Sequence, residues 1–532
     1  MNSPKLAATS RLRRDLIICA AAQAAGLALA GWHFRHALNP DGVAYLRIGS
    51  YWANGQWGLA VSGYWGPMLS WLVALLLKTG LALPAAGRIA MALSAMVFFW
   101  GCVAVFRVFE LDDHWVRRGA WAAAAAGIYW SVEFITPDLL VAGLVGIAAS
   151  QALRQDWLAR DRVRLRAGAI FGAAYLAKAA AFPLAILFIV LTGIGALRRG
   201  RVDAATARRS TGLTLLAFGL VASPWVVGLT LKYGTPTIST TARITHALAG
   251  PPDMDRYHPA ARRFHVPEAG RVTSWEDPSN MAYRTWSPFE NWSYAVYQAE
   301  FCLRNLAFFM GLLTTLNVLW PLLALDWLAG LAKGRRKWAE PLLMAALLAA
   351  IYLPFLVKIT EQRYFYAAFP FLFAAAAMRT TELAAARPQQ SAVILRVGGW
   401  AVMVAVLAPL LLAVYLVRDS IRIAGERAFD LAGRIQAAQL AGPIAGSGNL
   451  PGGRAGLYLA FYLNQPWYGD ELQPTPGDVT RSSAKLFVAN RESRIATALL
   501  REPGATDLDA KLFSNLEEAK GFPLQVFELR SP

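Results

Sequence analysis

The apolar segment DLIICAAAQAAGLALAGW (residues 15–32) decides the fold class, and the polar segment NPDGVAYL (residues 39–46) follows it closely. A transmembrane helix needs about 20 predominantly apolar residues. The first segment approaches that length and is preceded by basic residues. Because no convincing cleavage site follows it and further apolar segments do, we interpret it as a retained membrane anchor rather than a signal peptide.

The composition of the 532-residue chain agrees with a membrane protein. Hydrophobic residues make up 56% of the sequence and charged residues 16%, whereas a soluble domain has about 25% charged residues. The mean hydropathy is +0.37. These values exclude a disordered chain, a fibrous protein and an ordinary soluble enzyme, and they favour a protein that crosses the membrane several times.

Further apolar segments raise the expected number of spans to about eleven. They are Pro84–Phe106, Gly119–Phe134, Pro137–Ala152, Ala167–Phe182, Pro183–Ala196, Gly212–Leu231, Asn305–Leu328, Pro341–Val357, Tyr364–Met378 and Ala392–Val417. The break between Phe182 and Pro183 predicts a tight hairpin between two spans. The segment Trp65–Leu83 is also apolar, but counting it as a span disturbs the alternation of loop charge, so we predict an interfacial helix there.

The net charge of +18 results from 52 Lys and Arg against 34 Asp and Glu. With about eleven spans, the basic loops and the basic N-terminus all lie on one side, here called the basic side, which the positive-inside rule assigns to the cytoplasm. These loops are 107–118, 154–166, 198–209, 333–337 and 379–387. The charge therefore indicates orientation, and we do not expect a nucleic-acid partner.

The opposite side, here called the outer side, receives the segments 33–83, 134–138, 232–304 and 358–363 and the C-terminal tail. The composition changes along this tail, which contains a Gly/Pro-rich region and the strand-like segments Lys485–Ala489 and Leu524–Leu529. This pattern is typical of a small α/β domain. We therefore predict a multi-span α-helical transmembrane domain over residues 1–417 and a soluble α/β domain over residues 418–532.

Two acids are predicted to lie on the outer side next to spans. Asp41 follows the first span among aromatic residues, and Asp138 follows Pro137 in the next outer turn. A carboxylate in such a place can accept the proton of an acceptor hydroxyl or amine. Each acid also has a purely structural interpretation, since Asp41 could cap a short helix and Asp138 could stabilise a helix N-terminus. Their shared side of the membrane favours a functional pair.

Two cations are predicted on the same side. Lys178 lies near the outer end of an otherwise apolar span, where an ionised side chain is a candidate functional residue, although a lysine can also extend its amine to the interface. Arg363 can bind phosphate oxygens with two parallel hydrogen bonds. Lys358 and Glu361, which flank it, could simply form a salt bridge.

The histidines offer only a weak metal signal. His33 and His36 are three residues apart and close to Asp41, so a metal site is conceivable. The loop 232–304 contains His246, His258 and His265 without a typical ligand spacing. We therefore favour polar interfacial roles for these residues.

The order of these features resembles that of the GT-C membrane glycosyltransferases, in particular the bacterial aminoarabinose transferases and the protein O-mannosyltransferases. The resemblance covers roughly residues 15–417. It is carried by Asp41 in an Asp-Gly-x-x-Tyr-Leu context, the Trp65-x-Pro67 step, the Pro137-Asp138 pair, the segment around Lys178 and the Arg363-Tyr364 pair. The aminoarabinose group has a Lys-Pro-Pro step in the first loop that the sequence Tyr64-Trp65-Gly66-Pro67 lacks, so we make no prediction of aminoarabinose as the sugar.

The resemblance implies an inverting transfer of a sugar from a polyprenyl-phosphate donor to a lipid, glycan or protein acceptor, on the periplasmic face of a bacterial inner membrane. In this interpretation Asp41 and Asp138 are the catalytic acids, and Lys178 and Arg363 bind the donor phosphate. We expect substrate positioning by four further residues, which are Tyr45, Trp65, Glu361 and Tyr364. The donor has a single phosphate, so no cofactor is required, although a divalent metal is compatible with the scheme.

Two other functions are compatible with the sequence. A transporter or flippase of lipid-linked sugars would explain the spans, the aromatic residues and Lys178, but it does not readily explain two acids on one face or the tail. Transporters often contain inverted repeats, and the sequence shows no such symmetry. A non-catalytic assembly protein could use the loop 232–304 and the tail as docking surfaces.

Overall fold

The structure is a computed structural model that describes residues 4–254, 264–330, 338–350, 361–447, 454–471 and 473–530. The helices up to the start of the tail are α1 Pro4–His33, α2 Pro40–Ala53, α3 Trp57–Ala60, α4 Pro67–Leu77, α5 Leu83–Val108, α6 Asp113–Glu133, α7 Asp138–Leu153, α8 Gln155–Ala159, α9 Asp161–Ala177, α10 Ala181–Arg198, α11 Ala204–Tyr233, α12 Thr241–Leu248, α13 Trp292–Leu316, α14 Trp320–Gly330, α15 Ala339–Ala350, α16 Phe369–Ala385 and α17 Ser391–Ala437. Short 3₁₀ helices cover Ser274–Glu276, Pro278–Asn280, Gln362–Ala368 and Pro388–Gln390.

The tail alternates short strands and helices. They are β1 Ile444–Ser447, α18 Ala455–Leu463, β2 Trp467–Asp470, α19 Pro476–Arg481, β3 Leu486–Asn490, α20 Arg494–Leu499, β4 Ala505–Asp507, α21 Asp509–Leu512, α22 Leu516–Gly521 and β5 Leu524–Leu529. The strands form one sheet in the order β2-β1-β3-β5-β4. Strand β1 pairs in parallel with β2 and β3, whereas β5 is antiparallel to β3 and β4.

The mainly helical architecture and the small C-terminal α/β region agree with the predicted fold class. Six stretches within the described residues are long and apolar enough to cross a membrane. They are Ser10–His33, Leu83–Val108, Ala181–Arg198, Ala204–Tyr233, Trp292–Leu316 and Pro388–Leu416. The count of about eleven spans therefore stays a prediction. Part of the predicted span 341–357 and the basic loop 333–337 lie outside the described residues.

Two predicted spans are wrong in their boundaries. The segment Asn305–Leu328 is not one helix, because Asn317 has an extended backbone and its side chain accepts a hydrogen bond from the Leu319 N–H at 2.9 Å, which separates α13 from α14. The span predicted over Ala167–Phe182 is also wrong at its end, because the helix α9 ends at Ala177. Pro183 lies in the first turn of α10. The backbone N–H groups of a first turn have no partner within the helix, so proline is tolerated there. The hairpin between these spans therefore lies at Lys178.

The helices that carry the predicted acids and cations pack closely through small residues. A Cβ atom added at Gly101 of α5 would lie 2.5 Å from the carbonyl oxygen of Gly143 in α7. Small residues let helix backbones approach each other in membrane bundles. Helix α7 also packs against α9, so the first residue of α7, Asp138, and the residue after α9, Lys178, are held at the same end of the bundle.

The tail is joined to the bundle in two ways. Helix α17 runs without interruption from Ser391 to Ala437 across the predicted boundary at residue 417, so the division into two domains stays a prediction. The edge strand β2 also pairs with the outer loop, since Trp467 N–H donates to the Val272 carbonyl at 2.7 Å and His265 N–H donates to the Tyr468 carbonyl at 2.5 Å. The tail therefore supports a segment of the loop 232–304.

Candidate active site

The two predicted acids are brought together by the segments that precede them. Pro40 starts α2, and the Asn39 side chain accepts a hydrogen bond at 2.8 Å from the N–H of Ile135, in the turn before α7. The buried Arg88 donates to the carbonyls of Ala37 and Val132. These contacts bind the first outer loop to the second, so that the carboxylates at the starts of α2 and α7 lie next to each other.

Neither acid caps its helix with its side chain. The Asp41 carboxylate instead accepts a hydrogen bond from the Arg363 guanidinium at 2.7 Å. Asp138 is only 4% exposed, and its Oδ1 lies 2.5 Å from the Lys178 ammonium. The capping interpretation of Asp41 is therefore wrong. Asp138 does occupy the first turn of α7, but its carboxylate forms an ion pair with Lys178.

Arg363 is the centre of the site. It lies in the 3₁₀ turn before α16 and is 8% exposed. Besides Asp41, its guanidinium contacts Glu361 at 2.5 Å and lies 3.9 Å from Asp138. The Lys178 ammonium lies 4.1 Å from the centre of the Tyr364 ring. We call Asp41, Asp138, Lys178, Glu361 and Arg363 the charged cluster.

The charged cluster contains three carboxylates and two cations, and its electrostatics keep the central pair ionised. Burial alone raises the pKa of Asp41, but the charge and hydrogen bond of Arg363, together with a hydrogen bond from Trp275, leave that pKa below its usual value. Burial opposes ionisation of Arg363, yet Asp41 and Glu361 raise its pKa above the ordinary value. Asp41 is therefore a carboxylate at neutral pH.

An aromatic surface borders Asp41 on the side of the loop 232–304. The Trp275 indole N–H donates to Asp41 Oδ1 at 3.0 Å, and the Trp65 indole N–H donates to the Trp275 carbonyl at 2.9 Å. The ring centres of Trp65 and Trp275 are 5.4 Å apart, and Tyr64 lies 4.6 and 5.0 Å from them. We call Tyr64, Trp65 and Trp275 the aromatic wall; Tyr45 packs edge-on against Trp65.

The position of Trp275 depends on a buried carboxylate. Glu276, which is fully buried, accepts hydrogen bonds from the Tyr51 hydroxyl at 2.6 Å and from the N–H groups of Val272 and Thr273. Thr273 and Glu276 form a capping box around the turn. Burial raises the pKa of Glu276. The turn is thus fixed to α2 on one side and, through Val272, to the tail on the other.

All eight residues predicted for the site belong to one connected set of contacts. The step Trp65-Gly66-Pro67 belongs to it as well, because a Cβ at Gly66 would lie 2.6 Å from the carbonyl carbon of Ala177, just before Lys178. The prediction missed Trp275 and also Phe134, whose ring centre lies 5.2 Å from the Arg363 guanidinium carbon. The T-x-x-E sequence at 273–276 is a known turn signature, but nothing in it indicates contact with Asp41.

The histidines do not gather around Asp41. His36 stacks on Phe429 with ring centres 4.2 Å apart, and His246 stacks on Trp286. Within the described parts of the chain, no group of three or more Cys, His, Asp or Glu residues is arranged to hold a metal ion. His258 and Lys358 lie outside the described residues. Metal dependence therefore stays an untested prediction.

No protein-family model matches the sequence, and no curated protein matches it. Solved structures do share its fold. ArnT from Cupriavidus metallidurans bound to undecaprenyl phosphate has a TM-score of 0.55 and 17% identity, covering 96% of this chain and 97% of ArnT. Its apo form has a TM-score of 0.55 and 16% identity, with 98% of both chains covered. The oligosaccharyltransferase of Archaeoglobus fulgidus, in complex with zinc and sulfate, has a TM-score of 0.49 and 12% identity over 95% of this chain and 70% of that protein.

The chain thus has the fold of ArnT over almost its whole length, including the tail. ArnT belongs to the GT-C superfamily of membrane glycosyltransferases. The resemblance predicted from the sequence is therefore confirmed as a likeness of fold, and it extends beyond the predicted residues 15–417.

Proposed function

We propose that the protein is an inverting glycosyltransferase that moves a sugar from a polyprenyl-phosphate donor to an envelope acceptor, on the periplasmic face of a bacterial inner membrane. The observation that carries the proposal is the charged cluster, in which a carboxylate and a guanidinium meet next to a second acid–cation pair at the helix ends. The structure of ArnT with undecaprenyl phosphate, on the same fold, supports the class of donor.

The two cations suit the phosphate of the donor. The guanidinium of Arg363 can give two parallel hydrogen bonds to phosphate oxygens, and Lys178 adds a charge at the break between α9 and α10. When the sugar leaves, negative charge grows on the bridging phosphate oxygen. Fixed cations that stabilise such charge are often the largest contribution to catalysis.

Asp41 serves as the general base. The incoming phosphate competes for Arg363, and the loss of that ion pair raises the pKa of Asp41 towards its ordinary value. Asp41 then accepts the proton of the acceptor hydroxyl or amine, whose heteroatom attacks the anomeric carbon. The new bond to that carbon forms on the face opposite the phosphate. The bond to the phosphate oxygen breaks, and its electron pair leaves with the lipid phosphate.

Asp138 and the aromatic residues orient the substrates. Asp138 Oδ1 holds Lys178, whereas its Oδ2 accepts no hydrogen bond from a described residue and can therefore receive one from the acceptor. Tyr64 is the partly exposed ring of the aromatic wall and suits the apolar face of a sugar, and Tyr45 packs edge-on against Trp65. Glu361 and Tyr364 keep Arg363 and Lys178 in place.

A transfer assay with the full-length protein in lipid nanodiscs tests the proposal. We expect Asp41→Asn to lower the transfer rate from polyprenyl-phosphate sugars about 10²–10⁴-fold, the usual contribution of a general base, with donor binding retained. Asp161→Asn is the matched control, because Asp161 is also ion-paired but lies beyond the far end of the helices that start at the site.

Unchanged transfer by Asp41→Asn would reject Asp41 as the base. If the wild-type protein moved lipid-linked sugars across a vesicle membrane without transferring them, the flippase interpretation would replace this proposal.

A further inference from the structure

A cleft lies at the opposite end of the helices that hold the charged cluster. Helix α7 has 16 residues from Asp138 to Leu153, and α10 has 18 residues from Ala181 to Arg198. At 1.5 Å per residue they extend about 24 and 27 Å, which is close to the thickness of the hydrocarbon core of a bilayer. The far ends of these helices, with α8 and α15, enclose a cleft of about 80 Å³.

Three arginines line this cleft on the basic side of the protein, namely Arg154, Arg199 and Arg201. Arg154 contacts Asp156 and Arg199 contacts Glu340, each at 3.0 Å. All four side chains of these pairs are partly exposed, so the pairs are weak and solvent-screened. A phosphate group can therefore compete for the guanidinium groups.

The rest of the cleft is apolar and open. Leu191, Met344 and Leu347 line it between α10 and α15. Gly195 of α10 also faces it, and a Cβ added there would meet no atom within 4 Å. The missing side chain of Gly195 therefore keeps the cleft open.

We infer that this cleft binds an anionic glycerophospholipid from the leaflet on the basic side. The arginines bind the headgroup phosphate, and an acyl chain extends along Leu191, Met344 and Leu347. Charge complementarity and the apolar continuation select this occupant, because free phosphate would leave the apolar wall uncovered. Anionic lipids are attracted to basic segments at such a surface. The inference does not depend on the proposed transfer reaction.

Native mass spectrometry of the full-length protein, titrated with phosphatidylglycerol or phosphatidylcholine, tests the inference. We expect wild-type protein to retain phosphatidylglycerol preferentially. The double variant Arg199→Gln with Arg201→Gln should bind it about 25-fold more weakly, from about fivefold for each arginine near an anionic headgroup. Gly195→Leu should reduce binding as strongly without changing any charge, because its side chain fills the cleft.

Two control variants separate the cleft from general effects. Gly212→Leu adds the same side chain at a position where a Cβ also meets no atom within 4 Å, away from the cleft. Arg107→Gln with Arg117→Gln removes two ion-paired arginines elsewhere on the basic side. Both controls should bind phosphatidylglycerol like the wild type, and the melting temperatures of all variants without added lipid verify folding.

Three outcomes would overturn the inference. Equal retention of phosphatidylcholine and phosphatidylglycerol would show that the arginines do not select the headgroup. Wild-type binding by both cleft variants would show that the lipid binds elsewhere. Loss of bound phosphatidylglycerol on addition of inorganic phosphate, or a co-purified polyprenyl phosphate in place of a phospholipid, would assign the cleft to a different ligand.

Discussion

Asp41 belongs to the charged cluster and also contacts the aromatic wall through Trp275, but different parts of the molecule position the cluster and the wall. The charged cluster projects from the starts of α2 and α7, from the residue after α9 and from the turn before α16, so the packing of these helices holds it. The aromatic wall depends on Trp275, whose turn is held by Glu276 and, through Val272, by the tail. The difference teaches that the packing of the helices positions the charged side chains, whereas the tail is joined through Val272 to the turn whose Trp275 donates to the same carboxylate.

The largest expected loss of activity comes from replacing Arg363, the central residue of the charged cluster. Arg363→Gln should lower kcat/KM about 10²–10³-fold, as expected for the loss of a donor that stabilises transition-state charge. Arg363→Lys should restore only part of the activity, because an ammonium cannot reproduce the planar contacts of the guanidinium. Arg379→Gln, which breaks an ion pair with Asp326 away from the cluster, should stay near wild-type activity. Full rescue by lysine would contradict the bidentate role of Arg363.

The next largest effect is expected for Trp275→Phe, which tests whether the aromatic wall changes the pKa of Asp41. Trp275→Phe keeps a ring but removes the indole N–H that helps to lower the pKa of Asp41. We expect kcat to fall about tenfold, the cost of roughly one hydrogen bond to a charged group. Because the pKa of Asp41 rises without this bond, the acid limb of the kcat/KM profile should move to higher pH.

Trp65→Phe serves as the comparison, since its indole N–H binds the Trp275 carbonyl and not Asp41. An acid limb at the same pH in wild type and Trp275→Phe would show that the aromatic wall contributes packing alone.

A smaller effect should follow from loosening the support of the wall. Tyr51→Phe removes the hydroxyl that donates to the buried Glu276, and an unpaired buried acceptor costs about 1–3 kcal/mol. We expect a lower melting temperature and a loss of transfer of only a few fold, because the charged cluster itself is unchanged. A loss as large as that of Arg363→Gln would mean that the two parts of the site cannot be separated.

The smallest effect is expected within the charged cluster itself. Glu361 is the most exposed of its carboxylates, with 37% of the side chain accessible, and its ion pair with Arg363 is partly screened by solvent. Glu361→Gln should therefore reduce transfer no more than about twofold, while Arg363 still binds Asp41. Steady-state kinetics over a range of donor concentrations would show this as a change in KM. A loss above a hundredfold would make Glu361 a catalytic residue.

The sequence predicted correctly those features that depend on short stretches of chain. The charge of the loops and the apolar lengths of the spans placed Asp41, Asp138, Lys178 and Arg363 on one side, and the structure brings these residues together. The strand patterns at the end of the chain were equally local, and β3 and β5 form where they were predicted. Helix boundaries were less predictable, because the chain leaves the helix at Ala177 without a proline or glycine there.

The sequence by itself determined that the protein is a membrane bundle with acids and cations on one side and a small α/β tail, because hydropathy, period and charge act over short stretches of chain. Only the tertiary structure decided that Asp41 shares its carboxylate between Arg363 and Trp275, which lie 322 and 234 residues away along the chain. No local pattern records such pairings. They exist because the packing of the helices, the outer loop and the tail brings distant segments to the same carboxylate.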